Sequence, residues 1–352
     1  MIRLLLVEDS AVQREFISFV LEEDGGFEIV GTAVDGEDGV TQAAALHPDV
    51  ILMDCQMPKL DGVGATRIIM ETAPVPIVLM TASPVESEFT FDAIKNGALA
   101  VVSKPPAFGA PTFDRMAGQL VRTVKLMSEV KVVRRWPARK PLRSVEIAAP
   151  PATAPGTPQH VHIVGLVGST GAPGVIAEIL TAVGPKTNAT FLIVQHMSEG
   201  FIAGFAAWLT ARTGIPAELA VDGILTQPGR AYIAPDGSHM GIAAHGRIAL
   251  STEPEDDGFR PSGNYLFRSI ARTYGKNALG VLLTGMGRDG ASGLLEMQRA
   301  GALTVAQDEE SSVVFGMPGE AVRLGAAGRV LPPDDIARFI AECTTDESEA
   351  KR

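Results

Sequence analysis

The sequence has little cysteine, fewer basic than acidic residues, and no long apolar run. Its two cysteines, Cys55 and Cys343, are too few for a disulfide framework and are typical of a reducing compartment. Lys and Arg number 30 against 41 Asp and Glu, and the formal net charge of -11 argues against a nucleic-acid-binding surface. No apolar stretch approaches the roughly 20 residues needed to span a bilayer, and no secretory signal precedes the first apolar run. We therefore expect a cytoplasmic protein with no nucleic-acid partner and no membrane insertion.

The length of the chain and one change in composition predict two domains. At 352 residues the chain is longer than one typical hydrophobic core requires. Residues 129–159 hold six prolines and six Lys or Arg against two Glu, and the Ala/Pro/Thr-rich second half has no helical or alternating period. We interpret this segment as a linker. The predicted boundaries are 1–127 for the first domain, 128–159 for the linker, 160–345 for the second domain and 346–352 for a polar tail.

Four apolar runs in the first domain each end at polar side chains. The runs are Ile2 to Val7 before Glu8 and Asp9, Val50 to Met53 before Asp54, Ile77 to Met80 before Thr81, and Leu99 to Val102 before Ser103 and Lys104. Such runs, separated by helical stretches, predict parallel strands whose carboxyl ends converge on one crevice. A single strand-end acid is more often a turn residue or a helix cap. Four polar ends in order favour a phosphate-handling site instead.

The three acids of this crevice predict a metal ion. Crowded carboxylates repel one another unless a hard cation lies between them, so Glu8, Asp9 and Asp54 indicate Mg²⁺. With the metal bound, Asp54 can attack a phosphoryl donor, because its repulsion of the incoming group is offset. Thr81 and Lys104 would then contact the phosphoryl oxygens.

These motifs resemble the receiver domain of two-component response regulators. The resemblance is carried by Val7-Glu8-Asp9, Met53-Asp54, Met57-Pro58 followed by Asp61-Gly62, Thr81-Ala82 and Lys104-Pro105. It implies a flavodoxin-like fold with a five-stranded parallel sheet, Asp54 as the phospho-acceptor and a histidine kinase as phosphodonor. It also implies Mg²⁺ held by Glu8, Asp9, Asp54 and the backbone carbonyl of Gln56, with Thr81 and Lys104 as the phosphate contacts. Val101 stands where many receivers carry an aromatic switch residue.

Three strand ends in the second domain carry a hydroxyl, an imidazole and a carboxylate. A predicted strand from Val161 to Val167 runs into Ser169 before a predicted helix, the strand Thr190 to Val194 precedes His196, and the strand Leu279 to Leu283 precedes Asp289. Taken alone, Ser169 could be a helix cap, His196 a buried satisfied histidine and Asp289 a turn residue. Together they supply nucleophile, base and orienting acid for acyl transfer. The helix dipole and the N–H groups around Met286 and Gly287 could stabilise an oxyanion.

Two familiar glycine-rich motifs are excluded at the serine. The G-x-S-x-G elbow needs glycine where Val167 stands, and the G-x-G-x-x-G dinucleotide loop needs glycine at Leu166. The sequence therefore predicts neither a lipase-type elbow nor a dinucleotide site.

The second domain resembles the catalytic domain of the chemotaxis protein-glutamate methylesterase (CheB) family over about residues 160–340. Besides the three strand ends, the resemblance is carried by Gln195-His196-Met197, Gly200-Phe201, Tyr232-Ile233-Ala234-Pro235, Arg260-Pro261-Ser262, Gln307-Asp308-Glu309 and Val314-Phe315-Gly316-Met317-Pro318. It implies a doubly wound α/β domain with a seven-stranded, mainly parallel sheet and no cofactor. Ser169 is implied as nucleophile, His196 as base and Asp289 as orienting acid, with Thr170 and Met286 lining the site.

The resemblance also implies an activity and a setting. The expected protein is a monomeric, phosphorylation-activated hydrolase that removes methyl esters from glutamates of chemoreceptors, with the histidine kinase of the chemosensory array as phosphodonor. Deamidation of receptor glutamines is a second reaction of the family. Two departures from the family pattern, Ala172 and Gly263-Asn264, are expected at the substrate rim. If they mark lost catalysis, the alternative is an impaired response regulator that acts as a phosphoryl sink or a receptor-binding module.

Overall fold

The computed structural model describes residues 1–82, 91, 93–94, 96–130, 132 and 161–344. The chain divides into two compact units, Met1–Arg139 and Lys140–Arg352, and each is described by itself. Nearly all of the predicted linker 128–159 and the whole predicted tail 346–352 lie outside the described residues. The predicted domain boundaries therefore stay predictions.

The first unit is a parallel sheet with helices between its strands. In chain order its elements are β1 (Ile2–Val7), α1 (Ala11–Glu23), β2 (Phe27–Ala33), α2 (Gly36–Leu46), β3 (Val50–Asp54), α3 (Gly62–Thr72), β4 (Ile77–Thr81), β5 (Ala100–Ser103) and α4 (Phe113–Ser128). The strand order is β2-β1-β3-β4-β5, and every neighbouring pair is parallel. The predicted five-stranded receiver-like fold is confirmed.

Local sequence explains these elements. Strands β3 and β4 are buried along their whole length, as expected of central parallel strands covered on both faces, so they appear in the sequence as unbroken apolar runs. The first three helices begin after Ser10, Asp35 and Asp61, and each of these side chains accepts a hydrogen bond from a backbone N–H of the first turn. The caps therefore end each loop just beyond the carboxyl edge of the sheet.

The second unit has a larger parallel sheet. Its elements are β6 (Ile163–Gly168), α5 (Ala172–Val183), β7 (Thr190–Gln195), α6 (Ile202–Thr213), β8 (Ala217–Leu219), β9 (Ala231–Ile233), β10 (His239–Ala243), β11 (Arg247–Ser251), α7 (Gly263–Tyr274), β12 (Ala278–Leu282), α8 (Ala291–Arg299), β13 (Leu303–Gln307), α9 (Met317–Arg323), β14 (Arg329–Leu331) and α10 (Pro333–Thr344). The strand order is β14-β13-β12-β6-β7-β9-β8, with all pairs parallel. The predicted seven-stranded sheet is confirmed.

The helices of this unit form two packed groups. Helix α5 contacts both α6 and α10. In the second group, α7 contacts α8 and strand β10 of the antiparallel β10–β11 hairpin, and α8 contacts α9. Buried side chains of α7, including Leu266, Phe267 and Ile270, share one apolar core with Leu294 and Met297 of α8. No helix in the described part of the chain is both long and apolar enough to cross a bilayer.

Candidate functional site

The polar strand ends of the first unit meet at one edge of its sheet. Asp54 is the last residue of β3, Glu8 and Asp9 follow β1, and Lys104 follows β5. Carboxylate oxygens of Glu8, Asp9 and Asp54 all lie within 4.8 Å of one another. Glu8 and Asp54 are buried, whereas Asp9 is exposed. The three carboxylates predicted to lie together are therefore brought together, with one of them open to solvent.

Lys104 lies between the two buried acids. Its Nζ is 2.8 Å from Oε2 of Glu8 and 2.9 Å from Oδ2 of Asp54. Burial raises the pKa of both carboxyls, and the Lys104 ammonium opposes that rise. Burial by itself would lower the pKa of Lys104, but its two carboxylate partners raise it. One fixed positive charge therefore offsets only part of the negative charge gathered here.

The remaining predicted phosphate residues also lie at this edge. Thr81 is the last residue of β4 and is buried, and its carbonyl accepts a hydrogen bond from the Lys104 N–H at 2.9 Å. The backbone N–H of Gln56 contributes to lowering the pKa of Asp54. Val101 is buried in β5, opposite Leu79 of β4.

Ser169 and His196 lie side by side at the carboxyl edge of the second sheet. Gly168, the last residue of β6, pairs with Gln195, the last residue of β7, so the two candidate residues each follow directly. Gln195 is buried, and its Nε2 donates to the backbone carbonyls of Ser169 and His196, both over 2.9 Å. One side chain thus joins the two loops that carry Ser169 and His196.

Ser169 does not cap the helix that follows. Helix α5 begins at Ala172, its N-cap residue is Gly171 in the left-handed region, and no side chain caps it. The backbone N–H of Ser169 donates to the Thr284 carbonyl over 3.1 Å, which links the serine loop to the end of β12. The side chain of Ser169 is half-exposed at this edge. The cap interpretation is therefore excluded.

Asp289 meets His196 in a buried corner. Oδ2 of Asp289 is 3.0 Å from Nε2 of His196, in an oblique approach rather than along a ring N–H. Nδ1 of His196 is buried and has no hydrogen-bond partner among the described residues. A buried, unpaired nitrogen is uncommon and is expected where a ring must exchange a proton.

The carboxylate of Asp289 is held by the start of α7. Its Oδ1 accepts from the Ser262 hydroxyl at 2.8 Å and from the Asn264 N–H at 3.0 Å, and its Oδ2 accepts from the Gly263 N–H at 2.6 Å. Burial would raise the pKa of Asp289, but His196 and the N–H groups of Gly263 and Asn264 hold it below its usual value. The side chain predicted to orient the imidazole is thus a fixed, charged carboxylate.

Comparison with known proteins agrees with this geometry. The family described as CheB methylesterase matches residues 164–340, and the response regulator receiver domain matches residues 4–110. The protein-glutamate methylesterase/protein-glutamine glutaminase 1 of Syntrophus aciditrophicus is 46% identical over 97% of this chain and 98% of its own length. The chain belongs to the CheB methylesterase family. The predicted resemblance to both domains is confirmed.

Other relatives extend the match. The protein-glutamate methylesterase/protein-glutamine glutaminase of Nitrosospira multiformis is 46% identical over 100% of this chain and 99% of its own length. The crystal structure of the Thermotoga maritima CheB methylesterase catalytic domain has 32% identity and a TM-score of 0.50, covering 52% of this chain and 98% of that one. The chain thus follows CheB relatives along nearly its whole length.

Within the CheB domain, the expected position of Gly263-Asn264 and Ala172 at the substrate rim is wrong. All three residues are buried. Gly263 and Asn264 lie under Asp289 and donate to it, and the Asn264 side chain accepts from the Ser292 hydroxyl at 2.8 Å and the Gly293 N–H at 2.9 Å. The sequence around Arg260-Pro261 did not indicate that Gly263 and Asn264 are buried. They are buried because the chain turns into the domain where α7 begins.

Thr170, predicted to line the site, directly follows Ser169 in the same loop, and Met286, also predicted to line it, lies in the loop after β12. The Thr170 carbonyl accepts from the Thr284 hydroxyl at 3.0 Å, and that hydroxyl in turn accepts from the Val314 N–H at 2.9 Å. The backbone N–H groups of Met286 and Gly287 donate to no group in the described residues. Donors without a partner are thus present where sequence analysis placed them.

Several supporting residues escaped sequence analysis. Gln195 joins the serine and histidine loops, and Thr284 joins the serine loop to the segment before α9. Ser262 accepts from the Tyr265 N–H as the cap of α7 while donating to Asp289. Only Ser262 had a detectable signal, as a serine placed just before a helical stretch.

Proposed function

We propose that this chain is a cytoplasmic protein-glutamate methylesterase that removes methyl esters from chemoreceptor glutamates and releases methanol. The observation that carries the proposal is the placement of Ser169, His196 and Asp289 at three neighbouring strand ends, with His196 in contact with a buried, anchored carboxylate. These are the groups that acyl transfer through a serine requires. The names of relatives that match nearly the whole chain give the methyl ester of a protein glutamate as the substrate. Methanol is the second product of hydrolysing that ester, and the family resemblance implies a chemoreceptor as the substrate protein.

The residue roles follow from the surroundings of the two ring nitrogens of His196. Nε2 of His196 faces Asp289, so Nδ1 is the nitrogen left to take the Ser169 proton. Ser169 Oγ then bonds to the ester carbonyl carbon, and His196 returns the proton to the departing methoxide, which leaves as methanol. Water repeats the sequence on the acyl-enzyme and frees the glutamate carboxylate. Asp289 stabilises the imidazolium formed in each half.

Oxyanion stabilisation is assigned to backbone donors. Within the described residues the N–H groups of Met286 and Gly287 have no hydrogen-bond partner, and their loop adjoins the serine loop, while α5 directs its positive dipole end toward the same edge. Removing one such donor in another serine hydrolase lowers kcat by about 10²- to 10³-fold. Thr170 and Met286 then line the pocket for the ester group.

Glutamine deamidation is proposed as a second reaction of the same site, since the relatives' names include it. It uses the same acyl-enzyme but expels ammonia, so His196 must protonate a nitrogen leaving group efficiently. The anchored carboxylate of Asp289 would stabilise the imidazolium that forms during this transfer.

Activity is proposed to be controlled by phosphorylation of Asp54. The carboxylates of Glu8, Asp9 and Asp54 converge closely enough for a Mg²⁺ ion held by oxygen ligands, with the Gln56 carbonyl as a further ligand. When bound, Mg²⁺ would neutralise negative charge on an incoming phosphoryl group. A carboxylate oxygen of Asp54 would bond to the phosphorus of a phosphohistidine on the array kinase as the P–N bond breaks and the kinase imidazole leaves. Thr81 and Lys104 would bind the transferred phosphoryl group.

The alternative of an impaired response regulator loses its basis. It rested on Gly263-Asn264 marking a damaged rim, whereas both residues donate N–H groups to Asp289. No observation favours a phosphoryl sink over an enzyme.

Methanol release from methyl-labelled receptor membranes tests the proposal. Purified protein is assayed with and without acetyl phosphate and Mg²⁺, beside the Ser169→Ala variant as matched control. Release of labelled methanol that needs Ser169 is expected. If Ser169→Ala releases as much methanol as the unchanged protein, the serine mechanism is wrong. If the unchanged protein releases no methanol, the binding-module alternative is favoured.

A further inference from the structure

The imidazole of His196 is stacked on a phenyl ring. The ring centroids of His196 and Phe259 are 4.4 Å apart and the planes are inclined by only 8°. Phe259 comes from the segment between β11 and α7, not from any of the three strand ends that carry the catalytic groups. It therefore covers one face of the imidazole, while Asp289 approaches its edge.

Phe259 is presented by a tight turn. Its N–H and carbonyl each pair with Asp256 over 3.1 Å, and the two residues between them, Asp257 and Gly258, have φ values of 54° and 83°. Two consecutive positive φ values define a type I′ turn, for which Asp-Gly is a preferred pair. The four-residue turn Asp256 to Phe259 therefore determines where the phenyl ring lies.

The turn is fastened to the rest of the site. Asp257 accepts from Arg288, the residue before Asp289, over 3.2 Å, and Asp256 forms an ion pair with Arg268 of α7. Arg260 donates to the Thr252 and Glu253 carbonyls, both over 3.1 Å. These contacts join the turn to the loop of Asp289, to α7 and to its own base, so Phe259 has little freedom to leave His196.

The orientation of the imidazole needs such a support. The last side-chain torsion of histidine has a broad, roughly two-fold energy profile, and the oblique contact at Nε2 fixes it poorly. A small rotation would turn Nδ1 away from Ser169, and misplacement of about 1 Å can cost about 10²-fold in rate. A parallel phenyl face allows sliding but resists rotation of the ring plane.

We propose that Phe259 is a positioning residue for this reaction: it fixes the plane of His196 so that Nδ1 faces Ser169 while Nε2 faces Asp289. The inference rests on the proposed function. Phe259 itself touches no reacting atom, so its removal is expected to lower the rate of proton transfer at Ser169 and to leave receptor binding unchanged.

The test compares Phe259→Leu, which keeps an apolar side chain without a flat face, with Phe259→Tyr, which keeps the ring. Phe339→Leu in α10, whose ring packs under Arg329, is the matched control for losing a phenyl ring in the same unit. Phe259→Met is a second non-aromatic variant in case Phe259→Leu does not fold. Thermal melting of each full-length variant measures folding.

Two rates are measured on the full chain. The first is methanol release from methylated receptor membranes, giving kcat and KM. The second is the labelling of Ser169 by diisopropyl fluorophosphate, in which Oγ bonds to phosphorus, fluoride leaves and His196 takes the serine proton. We expect Phe259→Leu to lower kcat and the labelling rate together by about 3- to 10-fold with KM unchanged. Phe259→Tyr and Phe339→Leu should stay within about twofold of the unchanged protein.

A spectroscopic readout is independent of turnover. The phenyl ring current should shift the His196 ring proton resonances upfield, and Phe259→Leu should abolish that shift while Phe259→Tyr keeps it. The inference is overturned if Phe259→Leu labels Ser169 at the unchanged rate, if only KM rises, or if Phe259→Tyr loses as much as Phe259→Leu. If Ser169 of the unchanged protein is not labelled, the proposed function fails, and the inference fails with it.

Discussion

The side chain of Val167 fills the space beneath Asp289 that a side chain at Gly263 would need. A Cβ atom on Gly263 would lie 2.3 Å from Cγ1 of Val167 and 3.3 Å from Oδ2 of Asp289. The Gly263 N–H donates to the same Oδ2 over 2.6 Å, so the glycine backbone cannot retreat without losing that bond. Position 263 must therefore lack a side chain because Val167 already fills the adjacent space.

This pair predicts a rescue by a second substitution. Gly263→Ala should destabilise the protein by about 1–3 kcal/mol, as overpacking usually does, and should slow Ser169 labelling by displacing the donor to Asp289. Val167→Ala removes both Cγ atoms, so the double variant should recover most of the activity lost in Gly263→Ala. Urea unfolding and labelling rates of the four proteins in the cycle measure the coupling. Effects that add to within about 0.5 kcal/mol would contradict it.

The three proposed catalytic residues should act as a unit. Ser169→Ala and His196→Gln should each remove nearly all methanol release, and the double variant should be no worse than either, because triad losses do not add. Asp289→Asn should cost less, up to about 10⁴-fold, since it leaves nucleophile and base in place but removes the partner that selects the tautomer. Steady-state rates on methylated receptor membranes give the comparison. Independent, multiplying losses would contradict a shared mechanism.

The lowered pKa of Asp289 predicts a pH dependence of stability. A carboxyl whose pKa is lower in the folded than in the unfolded chain stabilises the fold above its unfolded pKa, about 3.9, and loses that contribution as the pH falls through the folded value. Asp289→Asn should therefore be less stable than the unchanged protein at neutral pH, and the gap should narrow as the pH falls below about 4. Urea unfolding of both full-length chains between pH 3 and 7 measures the gap. A gap that is constant with pH would disprove the linkage.

The raised pKa values of Glu8 and Asp54 predict that Mg²⁺ binding strengthens as the pH rises. The ion needs ionised ligands, and burial favours the protonated form of both acids. The increase in melting temperature caused by Mg²⁺ should therefore be larger at pH 7.5 than at pH 5, and a chelator should abolish it. Asp54→Asn should reduce the shift at both pH values, and Asp61→Asn, the cap of α3 outside the three-acid group, serves as control. An equal shift at both pH values, or an unchanged shift in Asp54→Asn, would exclude this site.

The strand ends were predictable from the sequence, whereas the residues that support the site were not. Apolar runs bounded by polar residues predicted β1, β3, β4, β6 and β7 to within about two residues, because strands buried on both faces are continuous apolar runs in the sequence. The placement of Ser169, His196 and Asp289 at neighbouring strands followed from that. No sequence pattern indicated that Gln195 and Thr284 join loops, because those contacts depend on which loops lie next to each other in the fold.

The depth of Gly263-Asn264 was misjudged for the same reason. A glycine after Arg-Pro-Ser can lie in an exposed turn or where two segments of the chain pack closely. Only the neighbouring Val167 side chain, which the sequence does not place there, shows that the second case applies. The Asp257-Gly258 turn, in contrast, carries a sequence signal that predicts its backbone form, although not the ring on which Phe259 stacks.

The coupling of phosphorylation to catalysis gives the last prediction. An allosteric coupling free energy is typically 1–3 kcal/mol, which corresponds to roughly 5- to 150-fold activation. Val101 of β5, which lies opposite Leu79 of β4, provides no aromatic side chain there, so we expect activation in the lower part of that range. Acetyl phosphate with Mg²⁺ should raise methanol release by the full chain to that extent and leave Asp54→Asn unchanged.

Lys104→Arg separates phosphorylation from its effect. The ammonium of Lys104 reaches both Glu8 and Asp54 from one point, and a planar guanidinium keeps the charge but cannot reproduce that geometry. We expect this variant to be phosphorylated on Asp54 and to gain less than half of the activation, measured at equal phosphoryl occupancy. Lys59→Arg, which changes an exposed partner of Asp35 at the same edge, should respond like the unchanged protein. Full activation of Lys104→Arg at equal occupancy would mean that the phosphoryl group acts without this contact, and Thr81 would then have to carry the coupling alone.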